Sequence, residues 1–202
     1  TTKNESFENT YNTNNLKIEK KVTGSQGDKK KDFNFVRAVQ GNIADAYISD
    51  MAKYSTPSDT VKSISAYNSL PAQLAKENSK FMYSVIGNSA RAKDYESALQ
   101  WLIAAGVVIK CNKVTEGNLP LKIYEDALSF KMYYSDVGLL SMKSELPAEN
   151  IVHNLKISDK MRGILSENYV ATELSAKGIT PYYWASTNKA EVDFVIQTGG
   201  NA

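Results

Sequence analysis

The chain has 202 residues, 24 basic against 22 acidic, and a hydrophobic share of 42%. That is enough for one large domain or two small ones with a buried core, and the net charge of +2 gives no global pull toward nucleic acid or membrane, so any basic surface must be local. Cys111 and His153 are the only thiol and the only imidazole, which excludes an internal disulfide and a Cys- or His-built zinc site.

Residues 1–15 are polar and open on Thr1 rather than Met, unlike a signal peptide, and read as a loosely ordered cut end. Leu16-Lys-Ile18-Glu-Lys20-Lys-Val22 alternates as a half-buried strand does. Thr23 to Lys29 is a turn, Lys29-Lys30-Lys31 a short solvated basic run, and Phe33-Asn-Phe35-Val36 resumes an extended pattern, which together predict a hairpin. Val36, Val39, Ile43, Tyr47 and Met51 then recur at helical spacing, so a helix is expected over 36–54, ended by Thr56-Pro57. Ser58 or Asp59 can cap the next helix, which Leu70-Pro71 should break. Short helices over 72–76 and 79–86 follow.

Lys93-Asp94 opens the clearest helix, with Tyr95, Ala98, Leu99, Leu102 and Ile103 in one stripe and Gly106 as its stop. Val107 to Val114 and Phe130 to Tyr134 read as strands around a turn, followed by a short helical turn over 135–140. Short helices, a longer helix and two strands around a loop describe a winged helix-turn-helix. Pro147 to Lys156 reads as a connector. A helix over 159–177 ends at Gly178, and strands follow over 181–185 and 190–196.

Three features carry possible chemistry. Glu167 falls in the middle of the arc formed by Ile164, Val170, Ala171 and Leu174, while Met161, Leu165 and Tyr169 form a second stripe. A carboxylate placed there needs a compensating cation, whether an Arg or Lys partner or a metal. On the last strand, Glu191, Asp193 and Val195 share one face and Val192, Phe194 and Ile196 the other. Either these carboxylates face solvent at an edge, or Asp193 joins Glu167 in holding a divalent metal that activates water for phosphodiester cleavage. In the winged helix, Lys76, Lys80, Arg91 and Lys93, with Lys110 and Lys113 on the wing, are candidate phosphate contacts. The interspersed Glu77, Asp94 and Glu96 fit a protein-packing module equally well. His153 sits in a connector, which disfavours a Ser-His-Asp triad, no long apolar run spans a membrane, and no G-x-x-x-x-G-K-[ST] stretch provides a P-loop.

From Val36 to Gly200 the chain resembles the C-terminal part of a large family of bacterial and archaeal predicted AAA+-type ATPases. The matching blocks are Ser69 to Phe81, Ala90-Arg-Ala-Lys-Asp-Tyr95, Ala98-Leu-Gln-Trp-Leu102, Leu119-Pro-Leu-Lys122, Phe130 to Leu140, Glu167-Asn-Tyr-Val-Ala171, Tyr183-Trp184 and Ala190-Glu-Val-Asp-Phe-Val-Ile196. The resemblance implies an N-terminal P-loop ATPase module using ATP and Mg²⁺, then a helical lid, a winged helix and a restriction-endonuclease-like end domain. The end domain is similar to the PD-(D/E)xK nuclease core, which puts Glu167 and Asp193 at its catalytic and metal-binding carboxylates and a Glu-x-Lys strand after the last strand here. Leu16 to Phe35 is similar to the opening strands of Gram-positive pilin and adhesin domains, where Lys20 would take the isopeptide lysine position and a cell surface would be the location.

The sequence therefore predicts an α+β fold. Its parts are an orphan N-terminal β-segment (1–35), a lid-type helix (36–56), a winged helix-turn-helix domain (57–146) and a truncated restriction-endonuclease-like α/β unit (147–202). The expected function is that of the non-ATPase, C-terminal part of an AAA+-type protein, a nucleic-acid-binding or regulatory module. Rival readings are a metal-dependent nuclease-like domain and a surface adhesin fragment. The expected partners are DNA and the ATPase module, with no membrane, in the cytoplasm. No complete active site, and no cofactor beyond a divalent metal at Glu167 and Asp193, is expected in the chain itself.

Overall fold

The structure, a computed structural model, describes residues 32–153, 156–186 and 190–199. Phe33–Ala202 forms one compact unit, distinct from Thr1–Asp32. The expected strand over 16–22, its turn and Lys20 lie outside the described residues.

Helix α1 (Phe33–Tyr54) turns Ile43, Tyr47 and Met51 of the expected stripe to the core, leaves Val36 exposed and starts earlier than expected. Phe33 to Val36 is helical, not extended. The ring of Phe33 meets His153 edge-on at 6.0 Å, and the guanidinium of Arg37 donates to Gln40 (2.7 Å), to Ser141 (2.9 Å) and to the Leu146 carbonyl. Those contacts need the first turn wound, and they override the local alternation.

Helix α2 (Pro57–Leu74) is capped by Thr56, whose hydroxyl accepts from the Asp59 N–H at 3.2 Å, so the cap is neither Ser58 nor Asp59. It runs straight through Pro71 instead of breaking there. A proline has no N–H for the carbonyl four residues back, which here is Tyr67. That carbonyl accepts from the Tyr134 hydroxyl at 2.8 Å, so the orphaned acceptor is satisfied from another element. The helix expected over 72–76 is the end of α2.

The helix expected over 79–86 shrinks to α3 (Tyr83–Ile86). Lys80 forms an isolated bridge with Lys131, the Phe81 N–H donates to the Phe130 carbonyl at 2.8 Å, and the two phenyl rings stack at 5.3 Å. The buried Gln73 amide then holds both backbone groups of Met82, each at 2.9 Å. Extended pairing thus claims the first residues of that segment.

Helix α4 (Ala92–Ala104) buries Ala98, Leu99 and Leu102, and Gly106, at φ +68°, turns the chain into β1 (Val108–Val114). A 3₁₀ turn (Leu121–Tyr124) leads to β2 (Glu125–Tyr134). After β2, Asp136 caps α5 (Val137–Lys143), its carboxylate accepting from the Leu139 N–H at 2.9 Å. The expected connector contains α6 (Ala148–Val152). Then come α7 (Asp159–Ala176), β3 (Tyr182–Ala185) and β4 (Glu191–Val195).

The described residues thus give seven α-helices and one four-stranded mixed sheet of order β2-β1-β3-β4, an α+β architecture. β1 pairs antiparallel with β2 and parallel with β3, and β3 pairs antiparallel with β4. The strands expected in the winged-helix segment and those of the 147–202 segment therefore share a single sheet.

Period two along β2 sends Phe130, Met132 and Tyr134 to one face and Lys131 and Tyr133 to the other. Tyr134 meets Tyr67 of α2 edge-on at 4.8 Å, whereas Tyr133 meets Glu167 of α7. Both faces are covered, and residues 129–134 are all buried. Tyr67, Leu70, Leu102, Met132, Leu139 and Leu140 are the centre of the core. Each such side chain is worth about 1.5–3 kcal/mol of burial.

Candidate functional site

Ser158 starts α7 by accepting the Met161 N–H at 3.2 Å, and Gly178, at φ +70°, follows its end. The buried stripe of α7 is Ile164, Asn168 and Ala171. Val170, expected inside, is 41% exposed, so Glu167 flanks the buried arc rather than centring it. That shift aims Glu167 at the sheet.

The carboxylates of Glu167 and Asp193 do converge, together with Glu191, and what they converge on is a lysine from β2. Lys131 Nζ lies 2.8 Å from Glu167 Oε1, 2.6 Å from Glu191 Oε1 and 3.2 Å from Asp193 Oδ1. The Lys131 side chain is 1% exposed, while those of Glu167 and Asp193 are 15% and 61% exposed. The site is buried at its cation and opens toward Asp193. Glu167 Oε1 also accepts the Tyr133 hydroxyl at 2.5 Å. The Tyr183 ring lies 5.2 Å from the ammonium, a cation–π contact that adds to the electrostatic hold.

Burial pushes the Lys131 ammonium toward neutrality, but hydrogen bonds and charge from Glu167 and Glu191 outweigh it, so its pKa is raised. Burial, then the charge on Glu167, pushes the Tyr133 phenol far up, and it remains an O–H donor. Cys111, opposite Lys131 in the β1–β2 ladder, has its thiol pushed up to about 12 by burial, which makes it a packing residue rather than a nucleophile. The sign of the Lys131 shift sets a pH window. Stability from a group whose folded pKa lies above its ordinary 10.5 is complete below that value and is lost as pH rises through the higher folded value. In urea titrations, the stability gap between the native chain and Lys131→Met is therefore expected to stay constant from neutrality to about pH 10 and to close above it.

A divalent cation needs several oxygens turned to a vacant coordination point. Here the ammonium fills the point where the carboxylate oxygens meet, and among the described residues no group of three or more His, Cys, Asp or Glu is arranged to hold a metal ion. The residues, as arranged, do not fit a metal at Glu167 and Asp193. The ion pairing weighed for Glu167 in the sequence is present. Lys131 itself was not singled out, although a lysine amid Phe130, Met132, Tyr133 and Tyr134 is as anomalous as an aspartate in an apolar strand.

The remaining polar device on α7 is Asn168, fully buried. Its Oδ1 accepts the Tyr134 N–H at 2.9 Å and its Nδ2 donates to the Tyr134 carbonyl at 3.0 Å. This one side chain acts as a further strand residue against the outer edge of β2.

Three of the six candidate nucleic-acid contacts gather around one stretch of β2. Lys80 Nζ donates to Ser129 Oγ at 3.0 Å, Lys110 Nζ lies 4.7 Å over the Phe130 ring, and Lys113 pairs with Asp126 across the ladder. Lys76 is exposed just beyond the end of α2, on the rim of a shallow groove with Ala72, Ala75, Met82 and Val85. Arg91 and Lys93 stand exposed at the start of α4.

Comparison with known proteins gives two family matches. A model described as Domain of unknown function (DUF8612) matches residues 25–150, and one described as Domain of unknown function (DUF4143) matches residues 162–202. The first runs without a break through Phe35, where the resemblance to pilin and adhesin domains ends and that to the AAA+-type family begins. The second covers Glu167, Glu191 and Asp193 and is a domain often found at the C-terminus of AAA-type ATPases. No curated protein and no solved structure matches the chain. Among the described residues, no helix is long and apolar enough to cross a membrane.

Proposed function

The chain belongs to the family described as Domain of unknown function (DUF8612), and from that premise we propose that it is the non-ATPase, C-terminal part of an AAA+-type protein, a nucleic-acid-binding module that does not cut what it binds. The match of residues 162–202 to a domain common at the C-terminus of AAA-type ATPases supports the parentage. The observation that carries the non-hydrolytic reading is the Lys131 ammonium held within 3.2 Å of Glu167, Glu191 and Asp193. With a cation of the chain's own at that point, the carboxylates act as a clamp between β2, α7 and β4 rather than as ligands for a catalytic ion. The expected partners are DNA and an ATPase module, in the cytoplasm.

The test is to incubate the purified chain with supercoiled and linear DNA in Mg²⁺ and in Mn²⁺, beside Asp193→Asn, and to titrate a labelled duplex at several salt concentrations. The expected result is intact DNA in every lane, with duplex affinity that falls as salt rises. Metal-dependent nicking that disappears in Asp193→Asn overturns the non-hydrolytic reading, and absence of duplex binding at low salt overturns the nucleic-acid reading.

A further inference from the structure

At Asn112/Lys113 the β1–β2 ladder loses register. Asn112 pairs with Phe130, Lys113 pairs with Asp126, and Ala127, Leu128 and Ser129 bulge out between them. Leu128 stands 87% exposed at this bulge, the most exposed of the large hydrophobic side chains among the described residues. A β-bulge re-aims side chains, and this one is held in shape by its own polar groups. Asp126 Oδ1 accepts the Leu128 N–H at 3.0 Å, and Lys80 Nζ donates to Ser129 Oγ at 3.0 Å. The hydrogen bond from Ser129 is the first cause holding the Asp126 carboxyl below its ordinary range, with the charges of Lys80 and Lys113 adding to it. Lys80, Lys110 and Lys113 thus surround the bulge, and Asp126 offsets one of the three charges.

We propose that this bulge is the point at which the chain engages duplex DNA, with Leu128 as an apolar wedge against a base step and Lys110 and Lys113 on the flanking phosphates. The proposal rests on the nucleic-acid reading above and replaces the start of α4, with Arg91 and Lys93, as the principal contact. The chemistry is that of an exposed aliphatic side chain, fixed on a constrained backbone and flanked by cations. Such a wedge can partly unstack a base step while the cations neutralise the phosphates on either side. A protein partner that buried Leu128 would not need lysines arrayed around it. The bulge is also built on an edge strand of the sheet.

The experiment is fluorescence anisotropy with a short labelled duplex across a salt series, using the full chain. Lys110→Gln/Lys113→Gln is expected to flatten the slope of log K against log salt by about 2 and to weaken binding at low salt at least tenfold. Leu128→Ser is expected to weaken binding roughly tenfold with the salt slope unchanged, because it removes a contact and no charge. Lys160→Gln/Lys177→Gln, at the start of α7 and just beyond its end, controls for general charge loss, and thermal melting of each variant controls for folding. Native-like binding by both bulge variants overturns the proposal, leaves the nucleic-acid reading standing and assigns the bulge to contact with another protein. Failure of the native chain to bind any duplex sinks both readings.

Discussion

Lys131→Met is expected to be the most damaging single substitution at the carboxylate cluster, lowering stability by about 3 kcal/mol, the lower end of the range of 3–5 for removing one partner of a buried ion pair. The side chain is of similar length and volume, so the loss is electrostatic rather than steric. The native cluster has one positive and three negative groups, and without Lys131 the three carboxylates face one another. The lower end applies because the orphaned partners can take up water, Asp193 being 61% exposed and Glu191 24%. For a chain of this size the melting temperature should fall by about 6–12 °C. Lys131→Met combined with Glu167→Gln and Glu191→Gln should recover much of that loss, since the neutral amides no longer repel. If Lys131→Met melts within a degree or two of the native chain, the cluster is not the clamp described above. Calorimetry or urea titration of the two variants reads this directly.

Asn168→Leu is expected to cost about 2–6 kcal/mol, a second large effect from a different cause. The Tyr134 N–H and carbonyl both point at Asn168, and leucine offers neither an acceptor nor a donor. Two backbone groups would then be buried without partners, each worth roughly 1–3 kcal/mol. Asn168→Asp keeps the acceptor and loses the donor while adding a buried charge, so it should rank close to Asn168→Leu rather than to the native chain. Amide hydrogen exchange at Tyr134 gives a local readout. It should quicken in Asn168→Leu well before global unfolding, and equal protection in both proteins would contradict the edge-pairing role.

The helices and strands with strong periodicity were legible in the sequence, as were Gly106 and Gly178 as stops and the α+β class. What failed was local inference overruled by distant partners. Pro71 read as a breaker because the sequence gives no sign that Tyr134 would satisfy the carbonyl of Tyr67. Ser79 to Ile86 read as helix because the pairing of Phe81 with Phe130 joins residues far apart in the chain. Phe33 to Val36 read as extended because Arg37 finds its acceptors at Ser141 and Leu146. The candidate site was half legible. Glu167 and Asp193 stood out as carboxylates in apolar surroundings, and the need for a cation followed from burial. The identity of that cation did not, since Lys131 lies on a strand that sequence order assigned to another domain. Asn168 left a fainter mark, a poor helix former on the buried stripe of α7.

The parallel ladder between β1 and β3 has a consequence for how the chain acquires its shape. Asn112 and Tyr182 become neighbours only after α5, α6 and α7 have been laid between them. Loop closure of that span must precede the reward of pairing, so the helical layer and the β1–β2 hairpin, rich in local contacts, should assemble first and β3–β4 should dock late. Lys131 is already in place on the early hairpin, and its ammonium has only partial company until the late pair arrives with Glu191 and Asp193. The last step of folding is thus a neutralisation as much as a packing event, and its rate should quicken where opposite charges attract over longer range, in dilute electrolyte.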